Sequence, residues 1–276
     1  MTTLLEILKH LDVISPKDYE IPGKEGYIEV GPSTRKEQSN TTISRVLVTV
    51  YPSSKTIAKA SQDKANLIIS FMPMLAGSTK QIAGLDLVRL RLLTKNYISM
   101  YIIGSSWIAA KDGLTDALSD ALNLTVTRKF NLRGKEANLI PIGRICRTPS
   151  DMNHSGFANY LASKLGISNI TFTGTIDDEV EEILLCAGSI IDNETLHRLL
   201  QEGIRTVVVG QLNQMDRMIA NNLGLNILEL GSFVTEAPGM KRLRHQLSLE
   251  FPELKIEFSD TDPITQTLRP YTDEMA

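Results

Sequence analysis

The chain has 276 residues, 42% of them hydrophobic and 22% charged, which is enough apolar material for one large or two ordinary globular cores and excludes disorder as its default state. Its 29 basic and 32 acidic residues leave a formal charge of -3, a field too weak to hold a phosphate polyanion, so nucleic acid is a poor candidate partner. Cys146 and Cys186 lie in apolar runs, where a thiol is a small buried hydrophobe and not part of a disulfide framework. The first ten residues lack the uninterrupted apolar core of a secretion signal, and no later run is long enough to span a bilayer; a cytoplasmic protein away from membranes is the expectation.

Leu4, Leu5, Ile7, Leu8 and Leu11 recur at helical spacing and predict a helix over 2–11, broken at Ser15-Pro16. Residues 18–40 are rich in Gly, Pro and charge and read as loops around a short strand, Tyr27-Ile28-Glu29-Val30. Strand and helix then alternate: strand 46–51, helix 55–64, strand 65–70, helix 85–95, strand 97–103 and helix 113–122. Between 125 and 145 the pattern turns polar, with less regular strands, and a helix lies within 149–165. Alternation resumes with strand 182–187, helix 194–202, strand 206–209, helix 211–223 and strand 227–230, before a helix and a strand over 241–258. Crossover units of this kind predict an α/β protein of two α/β lobes with mixed, largely parallel sheets. The first lobe is expected from 1–124 plus 235–276 and the second from 125–234.

Chemistry is sparse. His10, His154, His197 and His245 lie in different segments with no pair at helical or hairpin spacing, so a histidine-rich metal centre is excluded. Asp177-Asp178-Glu179, with Glu181 and Glu182, offers oxygens to a hard cation, but adjacent residues point apart and a solvated turn is the better reading. Asp112, Asp116 and Asp120 step along one helical face, where helix-terminal electrostatics account for Asp112 before catalysis does. Ala187-Gly188-Ser189 follows a strong strand and opens toward a helix. Free amides at such a junction hold an anion, but without a complete glycine-rich phosphate motif a tight turn is favoured. Ser105, Ser106 and Ser232 sit at strand ends with no histidine nearby and no nucleophile elbow, as turn formers do.

Several segments, in one order, resemble the NGG-interacting-factor-three-like (NIF-three-like) family, also called GTP cyclohydrolase 1 type-two homologues. They are Tyr27 to Gly31, Val46 to Val50 with 60–70, Tyr97 to Tyr101, Ala109 to Leu118, Leu184 to Ser189, Thr206 to Gly210 and Leu230 to Gly239. The resemblance implies two α/β lobes, a ring-shaped hexamer and two divalent metal ions held between the lobes. The family's ligand pattern departs here. Phe71-Met72 stand where the family has His-His, Gly104 and Ile108 where it has His and Asp, and Ser232 where it has the last His; Glu236 alone retains a ligand-type side chain. One carboxylate does not hold two dications, so no metal cofactor is expected.

Two functions follow from the resemblance. The first is a non-catalytic homo-oligomer that serves as a scaffold, a regulatory protein or a binder of a small-molecule or protein ligand. The second is a metal-dependent hydrolase of a nucleotide-like substrate, or an enzyme with new chemistry, drawing on Ser105, Ser106, Lys111, Thr235 and Glu236, with Gly188 and Ser189 as further ligand-binding candidates. Absence of a convergent polar group favours the first. Glu236, set among Phe71, Met72 and Ile108, is expected to suffer desolvation and a raised pKa; the plainer alternative is a helix cap delimited by Pro238 and Gly239.

Overall fold

The computed structural model describes residues 1–75, 77, 79–133 and 138–259. The chain opens with α1 (Leu4–Ile14), started by a capping box in which Thr3 and Glu6 satisfy each other's backbone amides. Then come β1 (Tyr27–Val30), α2 (Arg35–Asn40), β2 (Arg45–Thr49), α3 (Ser54–Gln62), β3 (Leu67–Ser70), α4 (Gly84–Lys95), β4 (Ser99–Ile102), α5 (Ser106–Ala109) and α6 (Leu114–Ala121). The remainder runs β5 (Thr125–Arg133), β6 (Leu139–Arg147), α7 (His154–Leu165), β7 (Thr171–Thr173), β8 (Glu182–Cys186), α8 (Asn193–Gln201), β9 (Thr206–Val209), α9 (Gln214–Asn222), β10 (Asn226–Glu229), α10 (Ser232–Glu250) and β11 (Lys255–Ser259).

These strands build two mixed sheets. The first has the order β1-β4-β3-β2-β11, parallel except for β1; the second has the order β5-β6-β8-β9-β10-β7, with a parallel centre of β8, β9 and β10. The short central strands β3, β4, β9 and β10 are buried at every residue, as parallel strands covered on both faces must be. In the first sheet Val48, Leu67 and Ile69 face the main core shared with the second sheet, while Leu47, Ile68 and Met100 face a smaller core beside α3. The sheet is therefore filled from both sides by period-two alternation.

The structure departs from the sequence reading in three places. Residues 125–147 form a regular ribbon of two nine-residue strands, β5 and β6; β5 is an edge strand exposed along most of its length and carries two register shifts, so its polar sequence hides its regularity. The helices at 35–40 and 106–109 and the strand at 171–173 are too short to show a period. α10 begins at Ser232 and runs through Pro238, so Pro238 and Gly239 do not delimit a helix and Glu236 does not cap one. Packing overrides the proline: a Cβ on Gly239 would stand 2.5 Å from the Cα of Leu114, and that close crossing seats α10 on α6.

The aspartates at 112, 116 and 120 join α6 to its neighbours. Asp116 pairs with the fully buried Arg144 of β6, whose guanidinium also donates to the carbonyls of Pro141 at 2.7 Å and Gly143 at 3.1 Å. Asp120 meets Arg242 of α10 at 2.6 Å.

Candidate functional site

The carboxyl ends of β3, β4 and β8 come together at one crevice, the place where open α/β sheets expose their loops. There the structure forms a half-open cavity of about 380 Å³. Phe71 and Met72 follow β3, Gly104 and Ser105 follow β4, Ile108 comes from α5, Ser189 and Ile190 follow β8, and Glu236 comes from the second turn of α10. Five of the six positions singled out by the resemblance thus line one space: Phe71, Met72, Gly104, Ile108 and Glu236. The sixth, Ser232, stands behind the wall, its hydroxyl 2.7 Å from that of Ser189.

Glu236 dominates the electrostatics. It is 1% exposed, and its Oε2 is buried with no hydrogen-bond partner. Desolvation pushes its carboxyl up to about 8. Gly188 closes over the other oxygen, so that a Cβ there would sit 3.0 Å from Oε1. Lys24 and Glu25, both exposed, stand at the rim.

The hydroxyls around the cavity are occupied. Ser105 Oγ accepts the amide of Ile21 at 2.8 Å while its own amide donates to the Lys24 carbonyl at 2.8 Å. Ser106 Oγ lies 2.7 Å from Ser15 Oγ and does not face the cavity. Thr235, fully buried, accepts the amide of Gly188 at 3.1 Å and donates to the carbonyl of Ser232 at 2.9 Å. Lys111 lies in an exposed turn outside the cavity lining. Of the residues proposed for a new enzyme chemistry, only Ser105 and Glu236 border the space, so the polar cleft this reading needs does not form from them. Gly188 is a turn whose amide is already taken; four residues, Ser189 to Asp192, separate it from α8, which Asp192 caps, so no helix-terminal anion cradle forms there.

Gly104 is held in place by sterics. Its φ is +79°, and a Cβ would fall 2.4 Å from the amide nitrogen of Gly26 and 2.7 Å from the carbonyl carbon of Glu25. Segment 20–26 is laid directly over this turn and fastened by the Ser105 bonds and by Gly26 N–H donating to Glu20 at 2.9 Å. Any side chain at 104 meets backbone, which does not yield as a flexible side-chain tip does.

Sequence reasoning missed the rim, Lys24, Glu25, Tyr27 and Ile190, because these come from loops whose placement no periodicity encodes. It also left His154 unassigned. That ring is buried, with Nε2 3.0 Å from Thr206 Oγ1 and Nδ1 unpartnered, and burial lowers its pKa. The acidic run Asp177 to Glu179 is exposed, as a solvated turn should be.

The donor set can be compared with what a metal ion needs. Among the described residues no three His, Cys, Asp or Glu side chains converge so as to hold a metal ion. Around this cavity the candidate donors are the Glu236 carboxyl and, at the rim, Glu25; the rest of the inner wall is mostly hydrocarbon. Two dications, each needing about four or more ligands, do not fit that set. Also among the described residues, no helix is long and apolar enough to cross a membrane.

The chain as a whole is similar to known proteins. A Clostridium perfringens GTP cyclohydrolase 1 type 2 homolog is 25% identical over 239 residues, covering 85% of this chain and 87% of the relative. A Methanocaldococcus jannaschii protein of the same description is 22% identical over 255 residues, 92% of this chain and 98% of the relative. Among solved structures, a Bacillus cereus protein related to NIF3 superposes with a TM-score of 0.81 at 17% identity, covering 96% of this chain and 99% of that one. The family model for Duf34/NIF3 (NGG1p interacting factor 3) matches residues 2–264, and the chain belongs to that family.

Proposed function

We propose that this chain is a non-catalytic member of the family, a cytoplasmic homo-oligomeric scaffold or regulatory protein that keeps the two-sheet architecture and uses the interlobe cleft for a small ligand instead of a dinuclear metal centre. One observation carries the reading: Glu236 stands alone, buried and unpartnered, in a cavity walled by Phe71, Met72 and Ile108. A site that activates water on a metal needs several lone-pair donors with balanced charge, and these side chains supply hydrocarbon. Gly104 supports the same reading, because backbone occupies the space a ligand side chain would need there. Self-association, into the six-chain ring that the family resemblance implies, is part of the proposal.

Elemental analysis of untreated protein together with its mass in solution tests it. The expected result is no stoichiometric transition metal and a six-chain mass; one or more equivalents of zinc, iron or manganese per chain would overturn it. A hydrolase acting on a nucleotide-like substrate is the second reading, favoured by the description of the relatives as GTP cyclohydrolase 1 type 2 homologs. It requires metal-dependent turnover of GTP, which the same preparation can be assayed for.

A further inference from the structure

We infer that the cleft takes a small organic ammonium ligand, an apolar amine whose nitrogen docks on the Glu236 carboxylate while its hydrocarbon part lies against Phe71, Met72 and Ile108. The inference rests on the metal-free reading of the cleft and adds the chemical class of its occupant.

The argument starts from what Glu236 lacks. Its Oε2 is buried with no donor, and a buried acceptor left without a partner carries an unrecovered desolvation cost. What is missing is a donor, and a cationic one would also hold the carboxyl in its ionised form. A divalent metal supplies charge but demands further ligands that the wall does not have. An ammonium supplies charge and three N–H donors, and is satisfied by one carboxylate and a hydroxyl or two. Ser189 borders the same space, and its hydroxyl oxygen, when it donates its proton to Ser232 at 2.7 Å, keeps a lone pair that can accept an N–H.

Shape and field agree with this choice. At ~30 Å³ per water-sized unit, a cavity of about 380 Å³ holds roughly a dozen non-hydrogen atoms, the size of an arylalkylamine or a short alkylamine. Apolar walls suit a hydrocarbon body, whereas a phosphate-bearing ligand would bring negative charge against a buried carboxylate. The titratable side chains bordering the cavity are Glu236, Lys24, Glu25 and Tyr27. The opposite charges of Lys24 and Glu25 at the rim offset one another, leaving the interior acid as the determinant of sign.

Trp107, the one tryptophan of the chain, is buried in α5 beside Ile108 and serves as a built-in reporter. The test titrates full-length protein with phenethylamine and with its neutral analogue 3-phenylpropan-1-ol, following Trp107 emission and heat of binding. The expected result is one amine per chain, bound at least about tenfold more tightly than the alcohol. Glu236→Gln should weaken the amine by about tenfold or more and leave the alcohol within about twofold. That variant is close to isosteric and leaves no ionisable group buried there, so it is expected to fold; Met72→Trp, which fills the cavity and is read by heat of binding because it adds a second tryptophan, should block both ligands and provides a second arm. Equal binding of amine and alcohol, no binding of either by metal-free protein, or full amine affinity in Glu236→Gln would overturn the ligand class while leaving the metal-free reading intact. Stoichiometric metal in the untreated protein would overturn both.

Discussion

Two acids on neighbouring helices, one half-buried and one fully buried, illustrate opposite uses of a carboxyl group. Asp116 of α6 reaches the Nε of the buried Arg144, whose guanidinium also donates to the carbonyls of Pro141 and Gly143, and the pair ties β6 of the second sheet to α6. Glu236 of α10 reaches nothing: it faces hydrocarbon at a half-open pocket. The first arrangement is closed and belongs to the architecture. The second is open, and an open buried carboxyl in a cavity marks where a molecule from outside completes the protein.

Substitutions can break this contrast from either side. The largest effect is expected for Asp116→Ala, which strands Arg144 in the interior; a loss of about 3–5 kcal/mol in chemical denaturation is predicted, and a loss under 1 kcal/mol would show that water rescues the arginine. Glu236→Gln should act in the opposite direction. The folded pKa of Glu236, about 8, lies above its unfolded value of 4.5, so the native state binds the extra proton. Stability is then full below about pH 4.5 and lost as pH rises toward 8. The variant should gain roughly 2–4 kcal/mol over wild type at pH 9 and little at pH 4, read as two denaturation curves. Equal gains at both pH values would remove burial as the cause.

Smaller effects sharpen the comparison. Gly104→Ala should cost about 1–3 kcal/mol, because its Cβ meets the backbone of Glu25 and Gly26 at a positive φ; a neutral result would mean that segment 20–26 moves freely. Ser232→Ala removes a single partly exposed contact to Ser189 and should change melting by the equivalent of about 1 kcal/mol or less. A larger loss would place Ser232 in the wall itself.

The strand and helix order was largely legible, because buried parallel strands such as Thr206–Val209 and amphipathic helices such as Leu114–Ala121 carry their period in the chain. Position was harder to read. β5 is polar because it is an edge, and α10 continues through Pro238 because Leu114 packs against Gly239, a contact between residues far apart in sequence. At the cleft, the identity of each side chain was readable but not its engagement: Ser105, Ser106 and Thr235 look like free hydroxyls in a linear reading and are tied up in local bonds once the loops are placed. The isolation of Glu236 was anticipated only through its neighbours on other strands, and Arg144 gave no sign, since an arginine in a strand announces neither burial nor partner.

The strap of residues 20–26 over the β4 to α5 turn also constrains anyone who would redesign this protein. Installing an imidazole at position 104 is not a one-residue exercise, because the space it would enter is filled by main chain and not by a yielding side group. Converting the cleft into an ion-binding centre would first require rerouting the strap, giving up the bonds that the Ile21 amide and the Lys24 carbonyl make to Ser105. Chemistry added at the floor of the pocket thus begins with engineering its roof.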